Sequence, residues 1–280
     1  MKCDLHVHTI HSGMCTVPVL RHVCRESYTE PGELYETLKR RGMDVVTVTD
    51  HDSIDAAEGL RCHADFFLSE EVTCTLPSGN EMHLGVYGIE EWHHTELQRR
   101  RADFYSLLAF LREQRLFASV NHAFSALTGR RELGDFALFE EMGLALEVLN
   151  GAVPEVCNKA AAAFATGVAV CGGSDAHTLE NAGRVWTEVS SARTASEFLE
   201  GLRYRRASVC GAHGSYWKLT RDVLSIGTSG MVDNPWLTLL LPLLPLAPVI
   251  TLGNYAKEHV FAWRWTRRWV PEERRVENLT

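Results

Sequence analysis

From Lys2 to about Gly227 the chain alternates short apolar runs with amphipathic stretches, and this alternation limits its fold more than any other feature. The apolar runs are short, rich in β-branched residues and bounded by turn or polar residues, so they are predicted strands: "CDLHV", "DVVTVTD", "DFFLSEEV", "MHLGVYGI", "LFASVNH", "LALEVLN" and "GVAVCGGSD". Helical spacing with Pro or Gly at the ends marks "PGELYETLKRRG", "TELQRRRADFYSLLAFLREQR", "FALFEEMG" and "PEVCNKAAAAFATG". Seven strands that mostly alternate with helices predict a parallel α/β arrangement.

Composition places the chain among soluble globular proteins. It has 280 residues, 45% of them hydrophobic and 23% charged, which is enough for a barrel with an appendage or for two domains. A net charge of −8 argues against a stable complex with nucleic acid, because phosphate contacts need an excess of Lys and Arg. The eight cysteines include no CxxC pair, and no apolar signal-peptide core follows Met1. These features predict reduced thiols and a cytoplasmic protein.

Polar side chains that ligate metals end nearly every predicted strand. In a parallel barrel the carboxyl ends of the strands meet at one face, and that face carries the chemistry. The imidazoles and carboxylates at these ends are His6 and His8, Asp50 and His51, Glu70 and Glu71, His83, His122, Glu147, and Asp175 and His177. Any one of them alone fits a structural role, such as a hydrogen-bonded histidine or a helix cap. Their recurrence at six strand ends favours a metal centre.

The spacing within two of these motifs supports that interpretation. His6 and His8 are two residues apart, so a strand points both side chains to one face, with Asp4 below them. Asp175 and His177 repeat this arrangement, and we expect Asp4 and Asp50 to orient ligand imidazoles rather than to bind metal. Imidazoles mixed with carboxylates suit Zn, Mn or Fe better than Ca or Mg. One ion uses about four ligands, so this many candidates imply at least two ions, with Glu71 as the natural bridge.

These residues resemble the ordered motifs of the PHP family, the polymerase and histidinol phosphatase domain. The motifs are "DLHVHT" at 4–9, "TDHDS" at 49–53, "SEEVT" at 69–73, "MHLGVYG" at 82–88, "NH" at 121–122 and "GGSDAH" at 172–177. The resemblance covers about residues 1–227 and implies a distorted (β/α)7 barrel that binds two or three ions. It implies that His6, His8, Glu71 and Asp175 hold one ion, and that Glu71 bridges to a second held by His83 and His122.

The resemblance also implies a third ion, for which His51 and His177 are ligands. The family usually supplies one more acid from the loop after the first strand, but Gly13 occupies the aligned position in "HSGMCT". His11 and Cys15 are the nearby alternatives, and the first is equally well explained as an exposed loop histidine. The segment "CRESYTEP" at 24–31 is similar to a sub-branch of the family in which this loop is long, and it is placed to line the substrate pocket.

A paired metal cluster predicts phosphoester hydrolysis. Two cations activate a hydroxide near neutral pH and neutralise charge on the phosphoryl oxygens. His177, or His51, is the predicted proton donor to the leaving group. Arg184 is placed to grip a phosphate, although a surface ion pair explains it equally well. The predicted substrate is a small phosphorylated molecule or a short nucleotide. The alternatives are an amidohydrolase-type C–N hydrolase and a non-catalytic metal-binding regulatory module.

The C-terminal extension, residues 228–280, has a different character. Residues 234–256 carry no charge, but Pro242, Pro245 and Pro248 disfavour a regular membrane-spanning helix. The Trp- and Arg-rich stretch that follows suits an interfacial amphipathic helix or one packed on the barrel or on a second subunit. We therefore expect residues 234–270 to mediate packing, homo-oligomer formation or contact with a membrane surface.

Overall fold

A computed structural model describes residues 1–15 and 21–269 of the chain. The strands in these residues are β1 (Lys2–Cys3), β2 (Ser69–Thr75), β3 (Glu81–Tyr87), β4 (Phe117–Val120), β5 (Ala145–Asn150), β6 (Val170–Gly173), β7 (Val185–Glu188) and β8 (Ser208–Gly211). The α-helices are α1 (Pro31–Arg40), α2 (Ala57–Leu60), α3 (Glu91–Arg100), α4 (Phe104–Glu113), α5 (Leu133–Met142), α6 (Glu155–Phe164), α7 (Ala195–Arg203), α8 (Tyr216–Asp233) and α9 (Ala247–Trp269). Two 3₁₀ segments, Ile10–Ser12 and Pro235–Leu246, complete the regular structure.

The predicted helices are confirmed, with one change. The long stretch 95–115 forms two helices, α3 and α4, rather than one. The side chain of Asp103 accepts a hydrogen bond from the Ser106 amide and so caps the start of α4. β7 and β8 were not predicted, because neither shows a long β-branched run.

The strands form one mixed sheet and one antiparallel sheet, so the α/β class is confirmed but the parallel arrangement is wrong. One sheet has the order β2-β3-β4-β5-β6 and the other the order β1-β7-β8. β3 runs antiparallel to both of its neighbours, whereas β4, β5 and β6 are parallel. The short turn between β2 and β3 explains the first antiparallel pair, since parallel neighbours need a crossover of a dozen or more residues.

Single bridges, rather than ladders, connect the two sheets. Val7 pairs with Ala176, Val46 with Phe66, and His51 with Glu71. The predicted second strand, 44–50, therefore forms isolated contacts only. In the part of the chain that the structure describes, the strands do not close a (β/α)7 barrel.

The chain after β1 nevertheless lies tightly against the end of β6. Asp4 accepts hydrogen bonds from the amides of Ser174 (2.8 Å) and Gly183 (2.7 Å). Gly173 permits this approach, because a Cβ there would lie 2.3 Å from the His6 nitrogen. The close contact brings the DLHVHT segment and the GGSDAH segment side by side.

The largest core cluster includes a side chain from the C-terminal extension. Trp265 of α9 is only 3% exposed and packs against Phe136 with ring centroids 5.0 Å apart. Glu258 of the same helix is buried and accepts hydrogen bonds from the Ala126 amide. The C-terminal half of α9 is thus integrated with the main body. The domain boundary at 227 stays a prediction, and α8 runs across it.

The first part of the extension is different, because it is largely exposed. Leu239 is 73% and Ile250 59% exposed. The stretch Pro235–Trp269 is long and apolar enough to cross a membrane by length and composition, and 17% of its most apolar window is buried. Residues 270–280 of the predicted extension lie outside the described residues.

Candidate metal centre

The structure brings all eight predicted metal ligands around one centre. His6 and His8 follow β1, Glu71 and His83 lie on β2 and β3, His122 follows β4, and Asp175 and His177 follow β6. His51 is joined to Glu71 by the parallel bridge described above. His122 and Asp175 have positive φ angles of 33° and 49°, in a region that non-glycine residues rarely adopt. Such backbone strain is typical of functional sites.

Glu71 occupies the middle of this centre. Its Oε2 atom lies 3.2 Å from His6 Nε2, 3.5 Å from His8 Nε2 and 3.2 Å from His51 Nδ1. Its Oε1 atom lies 3.5 Å from His83 Nδ1 and 3.4 Å from His122 Nε2. The two oxygens of one fully buried carboxylate therefore face two different sets of imidazoles.

Asp175 is the second carboxylate of the centre. Its Oδ1 atom lies 3.5 Å from His6 Nε2 and 3.4 Å from His8 Nε2. Four groups of side chains place their ligand atoms close enough to share one cation: His6–His8–Glu71, His6–His122–Asp175, His51–Glu71–His83 and His8–His51–His177. The donor set of imidazole nitrogens and carboxylate oxygens suits divalent metal ions.

The hydrogen bonds behind His6 and His8 fix which ring nitrogen faces the centre. His6 Nδ1 is 2.8 Å from Glu147 Oε1, so it carries the proton that this carboxylate accepts. His8 Nδ1 is 2.8 Å from Ser12 Oγ, which donates its own proton to Asp50. Nε2 of each ring consequently presents a lone pair to carboxylate oxygens.

Imidazole lone pairs and carboxylate oxygens repel each other, so a positive charge must lie between them. Nε2 of His6, His8 and His177, Nδ1 of His51 and His83, and Oε2 of Glu71 are all buried without a hydrogen-bond partner. Unsatisfied buried polar atoms are rare in folded proteins, and several that converge on one point indicate a site that binds an ion. The residues present therefore fit a bound divalent cation.

When no cation is bound, protons on the imidazoles neutralise the carboxylates of the centre. Burial alone would raise the pKa of Glu71, but the charges of His6, His83 and His51 outweigh it and hold that pKa well below its usual range. Burial lowers the pKa of His177, but the nearby carboxylates of Glu26 and Asp175 outweigh it and raise this pKa to about 9. His51 behaves differently, since burial lowers its pKa to about 4. Cations and protons thus compete for the same nitrogens.

Several residues that support the ligands were not recognised as such in the sequence. Glu147 holds His6 and also accepts from the His122 amide (2.9 Å). Asn121 Nδ2 donates to Glu71 Oε1 at 2.8 Å. Their positions at strand ends were noticed, but a strand-end position does not distinguish a ligand from its support.

The two acids expected to orient imidazoles behave differently from one another. Asp50 does so indirectly, because it accepts from Ser12, which holds His8. Asp4 bonds to backbone amides instead, so this expectation was wrong for Asp4. The i, i+2 spacing places Asp4 on the same face as His6, but its carboxylate lies among the backbone amides of His6, Ser174 and Gly183.

Three further predicted residues do not join the centre. Arg184 is exposed, and its Nε atom donates to the Glu180 carbonyl at 2.8 Å. Among the described residues, neither His11 nor Cys15 belongs to a group that could share a cation. The predicted phosphate-binding role of Arg184 and ligand roles of His11 and Cys15 stay predictions without structural support.

A cavity of about 270 Å³ opens onto the ligands. Its described lining comprises Ser12, Met14, Glu26, His51, Glu71, Thr73, Glu81, His83, His122, Leu127, Asp175 and His177. Four of these are acids, and no Lys or Arg is among them. An anionic substrate would therefore be attracted to this cavity only through bound cations or protonated imidazoles.

Comparisons with known proteins agree with the resemblance seen in the motifs. A family model described as PHP-associated matches residues 157–207, a segment that contains Asp175 and His177. An uncharacterized protein of Methanocaldococcus jannaschii is 39% identical over 54 residues, which is 19% of this chain and 30% of that protein. The chain thus matches less than a third of this relative's length.

Solved structures resemble the chain at low sequence identity. PsfC from Pseudomonas syringae superimposes with a TM-score of 0.54 at 18% identity, over 82% of this chain and 98% of that one, which indicates a shared fold. A Bifidobacterium adolescentis protein described as a metal-dependent phosphoesterase gives 0.49 at 15% identity, over 72% of this chain and 96% of that one. An amidohydrolase from Chromobacterium violaceum gives a TM-score of 0.48 at 15% identity, over 74% of this chain and 97% of that one.

TM-scores below 0.5 do not identify the reaction, which must be inferred from the chain's own residues. The family model and the motifs agree at the GGSDAH segment, where the match includes two of the predicted ligands. The resemblance of this chain to the PHP family is therefore confirmed.

Proposed function

We propose that the protein is a divalent-metal-dependent phosphoesterase that hydrolyses a phosphate mono- or diester. The observation that carries this proposal is the position of Glu71, whose two oxygens face separate sets of imidazoles. A carboxylate in this position suits a bridge between two cations. A pair of cations is the arrangement best suited to in-line displacement at phosphorus, because both the entering and the leaving oxygen develop charge.

The ligands divide naturally between the two cations. His6, His8 and Asp175 would hold one with Glu71 Oε2, and His83 and His122 would hold the other with Glu71 Oε1. When bound, the cations would activate water and neutralise charge on the phosphoryl oxygens. Zn, Mn and Fe all suit these ligands.

The chain's own residues would orient the metal ligands and determine which substrate charge the cavity accepts. Glu147 and Ser12 keep Nε2 of His6 and His8 pointed at the centre, and Asn121 holds the Glu71 carboxylate in place. Because the cavity contains acids but no Lys or Arg among its described lining residues, binding of a phosphate would depend on the metal. Small phosphorylated molecules and short nucleotides are the proposed substrates, and the cytoplasm is the proposed location.

The proposal is tested by metal analysis and assay of the full chain. After removal of metal and reloading with Mn²⁺ or Zn²⁺, bound metal is measured and turnover is assayed with phosphomonoester, phosphodiester and N-acyl substrates. We expect phosphoester turnover, and a loss of at least about 100-fold in the Glu71→Gln variant. Glu155→Gln is the control, because Glu155 is exposed on α6 and lies outside the described lining of the cavity.

Two results would contradict the proposal. Turnover of N-acyl substrates alone would favour C–N hydrolysis instead. Bound metal without turnover of any substrate would favour a regulatory metal-binding module.

A further inference from the structure

The loop after β1 folds back so that Glu26 lies beside Gly13. The amide of Cys15 donates to the Cys24 carbonyl at 3.0 Å, and the amide of Glu26 donates to the Gly13 carbonyl at 3.1 Å. Met14 and Arg25 form an antiparallel bridge between these two bonds. Gly13 is the position at which the family resemblance leads us to expect an acidic ligand, so the fold brings an acid to this point from 13 residues further along the chain.

The Glu26 carboxylate faces the Nε2 atoms of His51 and His177, whereas Glu71 and Asp175 lie beside the Nδ1 atoms of these two rings. Its Oε2 atom lies 3.5 Å from His51 Nε2, and its Oε1 atom lies 3.5 Å from His177 Nε2. The side chain is 22% exposed and lines the cavity together with both histidines. One carboxylate therefore spans two imidazoles at the mouth of the centre.

Neighbouring residues hold this arrangement in place. Ser27 Oγ lies 3.0 Å from the His177 carbonyl and 3.3 Å from the His8 carbonyl, so its hydroxyl donates toward both. The ring of His177 stacks on His8 with centroids 4.3 Å apart, and the ring of His51 also stacks on His8, at 4.7 Å. The loop that carries Glu26 is thus anchored to the same backbone that carries the ligands.

The contacts of Glu26 fit a shared cation better than direct hydrogen bonds. His177 Nδ1 is 3.2 Å from the Asp175 carbonyl, which can only accept, so in a neutral ring Nε2 presents a lone pair to Glu26. A separation of 3.5 Å exceeds the usual hydrogen-bond length. It is close to the separation of about 3.4 Å between two ligands that share one tetrahedral cation at about 2.1 Å.

We infer that Glu26 is the carboxylate ligand of a further divalent-cation site that it completes with His51 and His177, in place of the acid that Gly13 lacks. The inference rests on the proposed function, since it adds a ligand to the same centre. It also changes two predicted roles. If His51 and His177 ligate a cation through the nitrogens that face Glu26, those nitrogens are not available to protonate a leaving group.

The first test compares metal binding in matched variants. Metal-free wild-type protein, Glu26→Gln and Glu81→Gln are titrated with Mn²⁺, and the ions bound per chain are counted by mass spectrometry and calorimetry. We expect the affinity of Glu26→Gln for one ion to fall at least about tenfold while the other sites keep theirs. Glu81→Gln, the same change of an acid in the same cavity, should match the wild type.

Unchanged stoichiometry and affinity in Glu26→Gln would overturn the inference. Circular dichroism checks that Glu26→Gln is folded. If the folded variant lost every ion, the inference would also be overturned, because the effect of Glu26 would then not be confined to the site with His51 and His177. If the wild type itself bound no cation, the proposed function would fail with it. If Glu71→Gln lost its metal while Glu26→Gln kept all of it, only the present inference would fail.

A second measurement needs no variant. Crystals of the wild-type protein grown with Mn²⁺ should show an anomalous-scattering peak within bonding distance of the Glu26 carboxylate and of both histidines. Peaks that contact Glu71 but not Glu26 would overturn the inference even if the Glu26 variant failed to fold.

Discussion

At the scale of single residues, the centre depends as much on the groups behind the ligands as on the ligands. Glu147 Oε1 accepts from His6 Nδ1, and its Oε2 accepts from the His122 amide and from Asn150 Nδ2. This one buried carboxylate therefore orients ligands of both proposed cations. A glutamine at this position would have one oxygen and one NH₂ group. The NH₂ group would face a hydrogen-bond donor, either His6 Nδ1 or the His122 amide and Asn150 Nδ2.

We therefore expect Glu147→Gln to weaken binding of Mn²⁺ or Zn²⁺ by about 10- to 100-fold, the usual effect of losing such a supporting group. Calorimetric titration of the metal-free protein measures this directly. Glu155→Gln, on the exposed first turn of α6, is the control and should bind like the wild type. Equal affinity in Glu147→Gln would show that packing alone orients His6.

The raised pKa of His177 gives metal binding a defined pH dependence. In the metal-free protein this pKa is about 9, so below that pH the ring is protonated and must lose a proton before it can ligate. The pKa values of His6 and His83 are raised too, because the carboxylates Glu71 and Asp175 outweigh the effect of burial on His6, and Glu71 does so for His83. Metal affinity should therefore rise with pH up to about 9 and fall as the pH is lowered.

Calorimetry in buffers of different ionisation enthalpy checks this expectation. Binding near neutral pH should release protons, which appears as an observed enthalpy that depends on the buffer. An observed enthalpy that is the same in all buffers would contradict the raised pKa values.

At the scale of secondary-structure elements, the centre exists because β1 and β6 approach closely. Gly173 makes this possible, since a Cβ at that position would lie 2.3 Å from the His6 nitrogen and 2.4 Å from the His6 Cβ. Asp4 then joins the two segments through backbone amides. Side-chain size at one strand position therefore decides whether His6 and Asp175 meet.

Gly173→Ala should lower the free energy of unfolding by about 1–3 kcal/mol or more, because the added methyl group overpacks a buried contact. Urea unfolding measures the change, and metal titration should show weaker binding in the same variant. Gly32→Ala in the first turn of α1 is the control, since a Cβ there meets nothing within 4 Å. An unchanged unfolding midpoint in Gly173→Ala would mean that β1 shifts without cost.

The sequence predicted the centre better than it predicted the sheets. His6, His8, Asp175 and His177 follow from i, i+2 spacing, which needs only the local geometry of an extended chain. Glu26 could not be found in this way, because it reaches the centre through a loop that turns back on Gly13. The direction of β3 depends on a turn and not on hydrophobic periodicity, so it also escaped prediction.

At the scale of the whole molecule, the C-terminal extension has one packed half and one exposed half. Trp265 and Glu258 are buried against the main body, while Trp236, Leu239 and Ile250 are 79%, 73% and 59% exposed. Contiguous exposed apolar surface marks a site of association. We propose that this half contacts a second copy of the chain, and binding to a lipid surface would be the opposing outcome.

Replacing Leu239 and Ile250 by Gln should reduce self-association without loss of folding, because both side chains are exposed. Sedimentation of the full chain at several concentrations, with and without lipid vesicles, distinguishes the two outcomes. A monomeric wild type that sediments with vesicles would support the membrane contact and contradict the dimer.

The packed half should be indispensable for stability. Trp265→Ala removes a nearly fully buried ring from the main core and should cost about 3–5 kcal/mol of unfolding free energy, measured by urea unfolding. Trp263→Ala, which changes a ring that is 56% exposed, should cost much less. Equal effects of the two variants would show that α9 does not belong to the core.

The bond between Glu258 and the Ala126 amide has a consequence for evolution. Ala126 lies in the turn that begins at His122, whose carbonyl accepts from the Ser125 amide. A helix near the C-terminus therefore supports the turn that carries one of the proposed metal ligands. Homologous chains would not be free to exchange this extension as an independent module, because a replacement without an acid at this place would leave the turn after His122 unsupported.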